Sequence, residues 1–264
     1  MTSDAQAPQI TFGQGPRPAL ALHCTLAHAG AWRGVGAALA DTLTLTAIDM
    51  LGHGKAPKWS AQGDLHDACT DQAASVLTEP MDVIGHSFGA TVALRLAIEH
   101  PERVRSLTMI EPVLFAAARL DAPDAMAAHL EEARPHISAL EEGDMEQAAR
   151  LFNRLWGDGT RWDDFRASAR SYMADRMYLI PHQTPSVFED AARLLPSDRI
   201  GRVTMPSLLI AGSESPAITR DINAALARRL PNVRAITIDG AGHMAPMSHP
   251  QDVASAIRSL IEMA

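Results

Sequence analysis

The chain has 264 residues, 47% hydrophobic and 20% charged, a balance that supports one large core domain or a core carrying an insertion. Its formal net charge of −8, with no Lys/Arg cluster along the chain, argues against nucleic acid or an anionic membrane as partner. Cys24 and Cys69 form neither a disulfide framework nor a metal-ligand spacing, the start MTSDAQAPQITFGQG reads as no export signal, and no membrane-length apolar run occurs, so a cytoplasmic protein is expected.

In chain order, a short antiparallel strand is predicted over 9–13, followed by buried strands over 19–24 and 43–48 with a helix over 32–40 between them. A helix over 66–77, a strand over 81–86, a helix over 88–100 and a strand over 104–110 continue the alternation. It resumes with strands over 206–212 and 233–239 and helices over 217–230 and 249–262. Several strands are nearly continuous apolar runs, as expected where both faces are covered, so the fold class is α/β with a mostly parallel sheet flanked by helices.

One interval breaks this rhythm. Residues 112–198 show only helical texture, punctuated by Pro135, Gly157, Gly159, Pro181, Pro185 and Pro196. Asp144 followed by Gln147 resembles a capping box at a helix start. The expected organisation is therefore a core of residues 1–111 and 199–264, with 112–198 as a helical cap inserted between two strands of one sheet.

Chemistry concentrates at VIGHSFGAT, residues 83–91, where Ser87 stands between Gly85 and Gly89. A strand precedes it and a helix follows. That Gly-x-Ser-x-Gly context marks a turn too tight for flanking side chains, which lifts a serine hydroxyl above the sheet beside a helix N-terminus. A serine needs a base to become nucleophilic.

Further segments carry a resemblance to the α/β-hydrolase superfamily. His23-Cys24-Thr25, followed by Trp32, stands where that family has His-Gly, an oxyanion residue and a Trp. Asp49 to Gly54 resembles its Asp-x-x-Gly-x-Gly loop, Gly240-Ala241-Gly242-His243 the segment holding its catalytic histidine, and LLIAGSESP the strand and loop that often carry its acid. The resemblance implies Ser87 as nucleophile, His243 as base, and the backbone N–H groups of Thr25 and Phe88 as oxyanion hole, with no metal or organic cofactor required. Cys24 replaces the usual glycine, so Thr25 keeps its place only if Cys24 has an ordinary φ. His23 is expected to support the oxyanion loop by hydrogen bonding, His53 and His86 to fill their motifs, and His28, His182 and His249 to be structural or solvated.

Alignment puts the expected aspartate at Ser215, which cannot carry the charge that steadies an imidazolium. Two acids remain open. Glu214 is adjacent in a tight loop, whereas Glu111 ends the strand next to the nucleophile's, the position used by some branches of the family. Glu111 is the favoured choice. Phe115, Phe152, Trp156, Trp162, Tyr172, Met173, Met177 and Tyr178 are candidates for pocket walls, each more readily explained by packing within the cap.

The leading expectation is a serine hydrolase that cleaves a small carboxylic ester, lactone or thioester through an acyl-enzyme, with a small molecule as partner. Alternatives are a C–C bond hydrolase or perhydrolase of the same fold. Epoxide hydrolase and dehalogenase branches need an aspartate in place of Ser87. A non-catalytic ligand receptor on a hydrolase scaffold is the alternative of another class, favoured by Ser215 and Cys24 and opposed by Ser87 and His243. Nothing in the pattern selects an oligomeric state.

Overall fold

Short apolar runs covered on both sides must pair edge to edge and sit between helices, because their backbone groups have no water to turn to. The computed structural model describes residues 7–263; residues 1–6, on which part of the export-signal reading falls, and Ala264 lie outside them. Its strands are β1 (Gln9–Phe12), β2 (Arg17–Leu22), β3 (Leu43–Ile48), β4 (Met81–His86), β5 (Val104–Ile110), β6 (Ser207–Gly212) and β7 (Val233–Ile238). They form one sheet of order β1-β3-β2-β4-β5-β6-β7. Only β1 runs antiparallel to its neighbour; every other pairing is parallel.

Parallel pairing requires crossovers. A 3₁₀ turn (Ala29–Trp32) and α1 (Arg33–Ala38) follow β2, α2 (Leu65–Val76) follows β3, and α3 (Phe88–Glu99) follows β4. After β5 come α4 (Phe115–Asp121), α5 (Pro123–Glu141), α6 (Met145–Trp156), α7 (Ala167–Ala174), α8 (Leu179–Glu189) and α9 (Ser197–Ile200). After β6 and β7 come α10 (Ile218–Ala227), α11 (Ala245–Ser248) and α12 (Pro250–Ile261). Strand alternation divides the interior in two. Leu20 and Leu22 of β2 face a core shared with α3 and α10, while Ala19 and Ala21 face one shared with α1 and α12.

The helices between β5 and β6 begin and end in the first of these cores, through Leu114, Phe115 and Ile200. Further out, Ala139, Ala148, Ala149, Trp162 and Met177 form a small cluster of their own. Asp144 caps α6 by accepting the Gln147 N–H at 2.9 Å. The return limb of a capping box is missing, because the Asp144 N–H bonds to the Ala139 carbonyl instead. Pro135 lies inside α5, which runs through it.

Candidate active site

Ser87 leaves β4 with φ 56° and ψ −118°, a conformation that costs a non-glycine residue on the order of 1–3 kcal/mol. The sheet compensates by receiving the Ser87 N–H on the Ile110 carbonyl at 2.9 Å, and α3 starts at the next residue, Phe88. Both flanking glycines are required by backbone contact. A Cβ on Gly85 would lie 2.5 Å from Ala90 Cα, and one on Gly89 would lie 2.5 Å from the His23 carbonyl oxygen. The Phe88 N–H therefore heads a helix one residue from the hydroxyl, where donors carry positive potential.

The loop after β2 faces it. His23 Nε2 accepts the Met50 N–H at 3.1 Å, so its proton sits on Nδ1 and is donated to the Cys24 carbonyl at 2.8 Å. Burial pushes the imidazole down to about 4, which keeps it neutral and supportive, as expected from sequence. Cys24 is absent from the residues with positive φ, so the condition placed on Thr25 is met; the left-handed residue of this loop is Leu26, at φ 63°. Burial raises the Cys24 thiol to about 12, which removes it as a nucleophile. Asp49 ties this loop to its neighbour by accepting the Ala29 N–H at 2.7 Å and the Lys55 N–H at 2.8 Å.

Glu111 leaves β5 as Ser87 leaves β4. Its φ is 52°, and its N–H bonds to the Ile210 carbonyl of the next strand at 2.8 Å. The carboxylate is wholly buried and fully engaged. Oε1 accepts the Gly212 N–H at 2.5 Å and the Ser215 hydroxyl at 2.7 Å, and Oε2 accepts His243 Nδ1–H at 3.2 Å. In the neutral imidazole this bond leaves Nε2 as the acceptor nitrogen. His86 donates Nε2–H to the His243 carbonyl at 2.8 Å, and the Trp156 ring packs edge-on to the imidazole with centroids 4.7 Å apart. Glu214, the rival acid, is exposed. Ser215 has a part that sequence reasoning missed: in the aspartate's expected place it supplies a hydrogen bond to the carboxylate on the neighbouring strand.

Ser87, Thr25 and His243 all face one cavity of about 540 Å³. No Ser87–His243 hydrogen bond is formed among the described residues. Of the eight candidate wall residues, Phe152, Trp156, Tyr172 and Met173 line the cavity. Phe115 instead stacks on Phe188, Trp162 and Met177 pack in the outer cluster, and the Tyr178 hydroxyl accepts the Trp59 N–H. His28 lines the cavity, while His182 and His249 do not; neither does any Lys or Arg. Among the described residues no group of His, Cys, Asp or Glu is placed to hold a metal ion, and no helix is long and apolar enough to cross a membrane.

Residues 19–250 match the family model described as alpha/beta hydrolase fold. The chain belongs to this family. Among curated α/β-hydrolase relatives, a pimeloyl-[acyl-carrier protein] methyl ester esterase of Aeromonas hydrophila is 26% identical over 260 residues, covering 95% of this chain and 97% of that protein. Lipase LipV of Mycobacterium tuberculosis is 28% identical over 258 residues, covering 93% of each. Among solved structures, Cfl2 of Burkholderia cenocepacia superposes with a TM-score of 0.72 over 95% of this chain and 90% of that one, at 18% identity, a likeness of fold alone.

Proposed function

We propose that this α/β-hydrolase is a serine ester hydrolase, with Ser87, His243 and Glu111 as catalytic triad and the N–H groups of Thr25 and Phe88 as oxyanion hole. The observation that carries the reading is the hydrogen bond between Glu111 Oε2 and His243 Nδ1 at 3.2 Å, with His243 lining the cavity that Ser87 also faces. Ser87 Oγ attacks the ester carbonyl while His243 Nε2 takes its proton. Glu111 holds the tautomer and stabilises the imidazolium. The two N–H groups receive the tetrahedral oxyanion. His243 then protonates the departing alcohol and activates a water that releases the acid from Ser87.

The helices of 112–198 act as a cap over this centre. Phe152, Trp156, Tyr172 and Met173 give the cavity apolar walls, and its volume falls within the range of small-molecule sites. The lining holds Asp158 and no Lys or Arg, which disfavours an anionic group on the substrate. The relatives' names, a methyl ester esterase and a lipase, support the ester bond. Two free, buried cysteines fit a reducing compartment, hence the cytoplasm.

The test is treatment of the purified protein with a fluorophosphonate, read by intact mass, with Ser87→Ala as control. One adduct on the wild type and none on the variant supports the reading. No adduct on a folded wild type sinks it.

A further inference from the structure

Three consecutive residues of the oxyanion loop are gripped by the cap, each in a different way. The Thr25 hydroxyl donates to Gln183 Oε1 of α8 at 2.9 Å. The Leu26 side chain packs against the cap's outer cluster of Ala139, Ala148, Ala149, Trp162 and Met177. The Ala27 carbonyl accepts the Tyr172 hydroxyl of α7 at 2.8 Å, and the same hydroxyl accepts the Gly54 N–H at 2.8 Å. The guanidinium of Arg176 lies 3.5 Å over the Tyr172 ring centroid, which fixes that ring in turn.

The central residue of this grip is strained. Leu26 has φ 63°, a left-handed conformation that a bulky non-glycine residue keeps only where its surroundings over-determine it. Those surroundings come from the cap. Gln183 is also costly to bury: it is 5% exposed, and its Nε2 makes no hydrogen bond among the described residues. An apolar side chain of similar size would serve packing better. What the amide supplies is an acceptor for the Thr25 hydroxyl.

We infer that Gln183 and Tyr172 are positioning residues for the oxyanion hole, so that the Thr25 N–H reaches the oxyanion only while the cap is seated on the loop. The inference rests on the reading of that N–H as an oxyanion donor. It makes the cap part of the catalytic geometry, beyond a wall of the substrate cavity. A group displaced by about 1 Å from its working position can cost about 10²-fold in rate.

The experiment compares Gln183→Met, Thr25→Val, Thr25→Ser and Tyr172→Phe in the full chain. Turnover of p-nitrophenyl butyrate is measured beside inhibition by hexyl trifluoromethyl ketone, whose adduct carries the oxyanion, and by 1-octanol, which carries none. Gln183→Met and Thr25→Val should each lower kcat about 10- to 100-fold with KM within about threefold. The trifluoromethyl ketone should weaken in step with kcat/KM, and octanol should not. Combining the two substitutions should cost no more than either alone, since both delete one hydrogen bond. Thr25→Ser, which keeps the hydroxyl that Gln183 accepts, should lose less kcat than Thr25→Val, and Tyr172→Phe should add its own loss. A rise in KM alone, or loss of turnover with unchanged ketone affinity, would overturn the inference. If Gln183→Met does not fold, Thr25→Val against Thr25→Ser decides it from the loop side. Failure of the underlying reading looks different: the wild type itself would bind the trifluoromethyl ketone no better than the corresponding methyl ketone.

Discussion

Replacing Glu111 by Gln tests the proposed acid with almost no change in shape. In the wild type Oε1 is held by two donors, the Gly212 N–H at 2.5 Å and the Ser215 hydroxyl at 2.7 Å. The amide of the variant must therefore turn its oxygen to that side and its NH₂ toward His243. An NH₂ cannot accept from Nδ1–H, so the imidazole moves its proton to Nε2, the atom that should take the proton of Ser87. The structure thus predicts a wrong tautomer, an error that costs about 10⁴ in turnover where the same change has been made in a serine protease triad. That corresponds to about 5 kcal/mol of lost transition-state stabilisation. The assay is kcat/KM on p-nitrophenyl butyrate for Glu111→Gln and Glu214→Gln, with thermal melts to confirm folding. Glu214→Gln should be silent. Glu111→Ala with Ser215→Asp should recover at least about tenfold over Glu111→Ala, because position 215 already reaches the carboxylate's site. Turnover in Glu111→Gln within about tenfold of wild type, with a collapse in Glu214→Gln, would refute the reasoning.

Stability should fall in mild acid. Burial lowers His23, His129 and His136 to about 4 and His66 to about 3 in the folded chain, against 6.5 when exposed. Below pH 6.5 the unfolded chain takes up protons that the folded one refuses, so stability is complete above that pH and declines as pH drops toward 4. Each histidine contributes a slope of at most about 1.4 kcal/mol per pH unit, and urea midpoints that stay flat from pH 7 to 5 would contradict this. Gly89→Ala should abolish activity and depress the melting temperature, because its Cβ would strike the backbone carbonyls of Leu22 and His23; an active, equally stable variant would show that the elbow can open. Cys24 and Cys69 are buried thiols raised to about 12, so iodoacetamide should label neither in the native chain and both in urea, as read by mass.

What could be read from the sequence was whatever depends on neighbours along the chain. The strands over 43–48, 81–86 and 104–110 are apolar runs that match β3, β4 and β5 residue for residue. Strand β2 was displaced by two residues, because His23 and Cys24 leave the sheet, where His23 hydrogen-bonds to the Cys24 carbonyl and the Met50 N–H. The glycines about Ser87 were legible because one local turn demands them. The hydrogen bond from Thr25 to Gln183 spans 158 residues and had no local signal. Proline is a local stop signal, and at Pro135 the packing of α5 overrides it. Glu111 was legible as a strand end beside the nucleophile strand, but the part of Ser215 was not, since it exists only once β5 and β6 lie side by side.

That adjacency also explains how the proposed acid can sit at the end of β5. Ser87 and Glu111 leave adjacent strands by the same step: a residue at positive φ whose N–H is caught by an isoleucine carbonyl of the next strand, Ile110 for Ser87 and Ile210 for Glu111. The next step repeats the bond without the strain, Ser213 N–H to the Ile238 carbonyl. A carboxylate at the end of β6 would need only a short side chain to meet the histidine. One strand earlier, the longer glutamate side chain has to cross that gap, and the Gly212 N–H and the Ser215 hydroxyl hold its far oxygen where it arrives. The serine at 215 therefore marks a shared site, in which one strand supplies the charge and its neighbour the hydrogen bond that aims it. On this argument Ser215→Ala should leave Glu111 bonded to Gly212 and His243 but less firmly aimed, lowering kcat by about tenfold without moving KM. A loss as large as that of Glu111→Gln would mean that the hydroxyl carries more of the site than its one hydrogen bond accounts for.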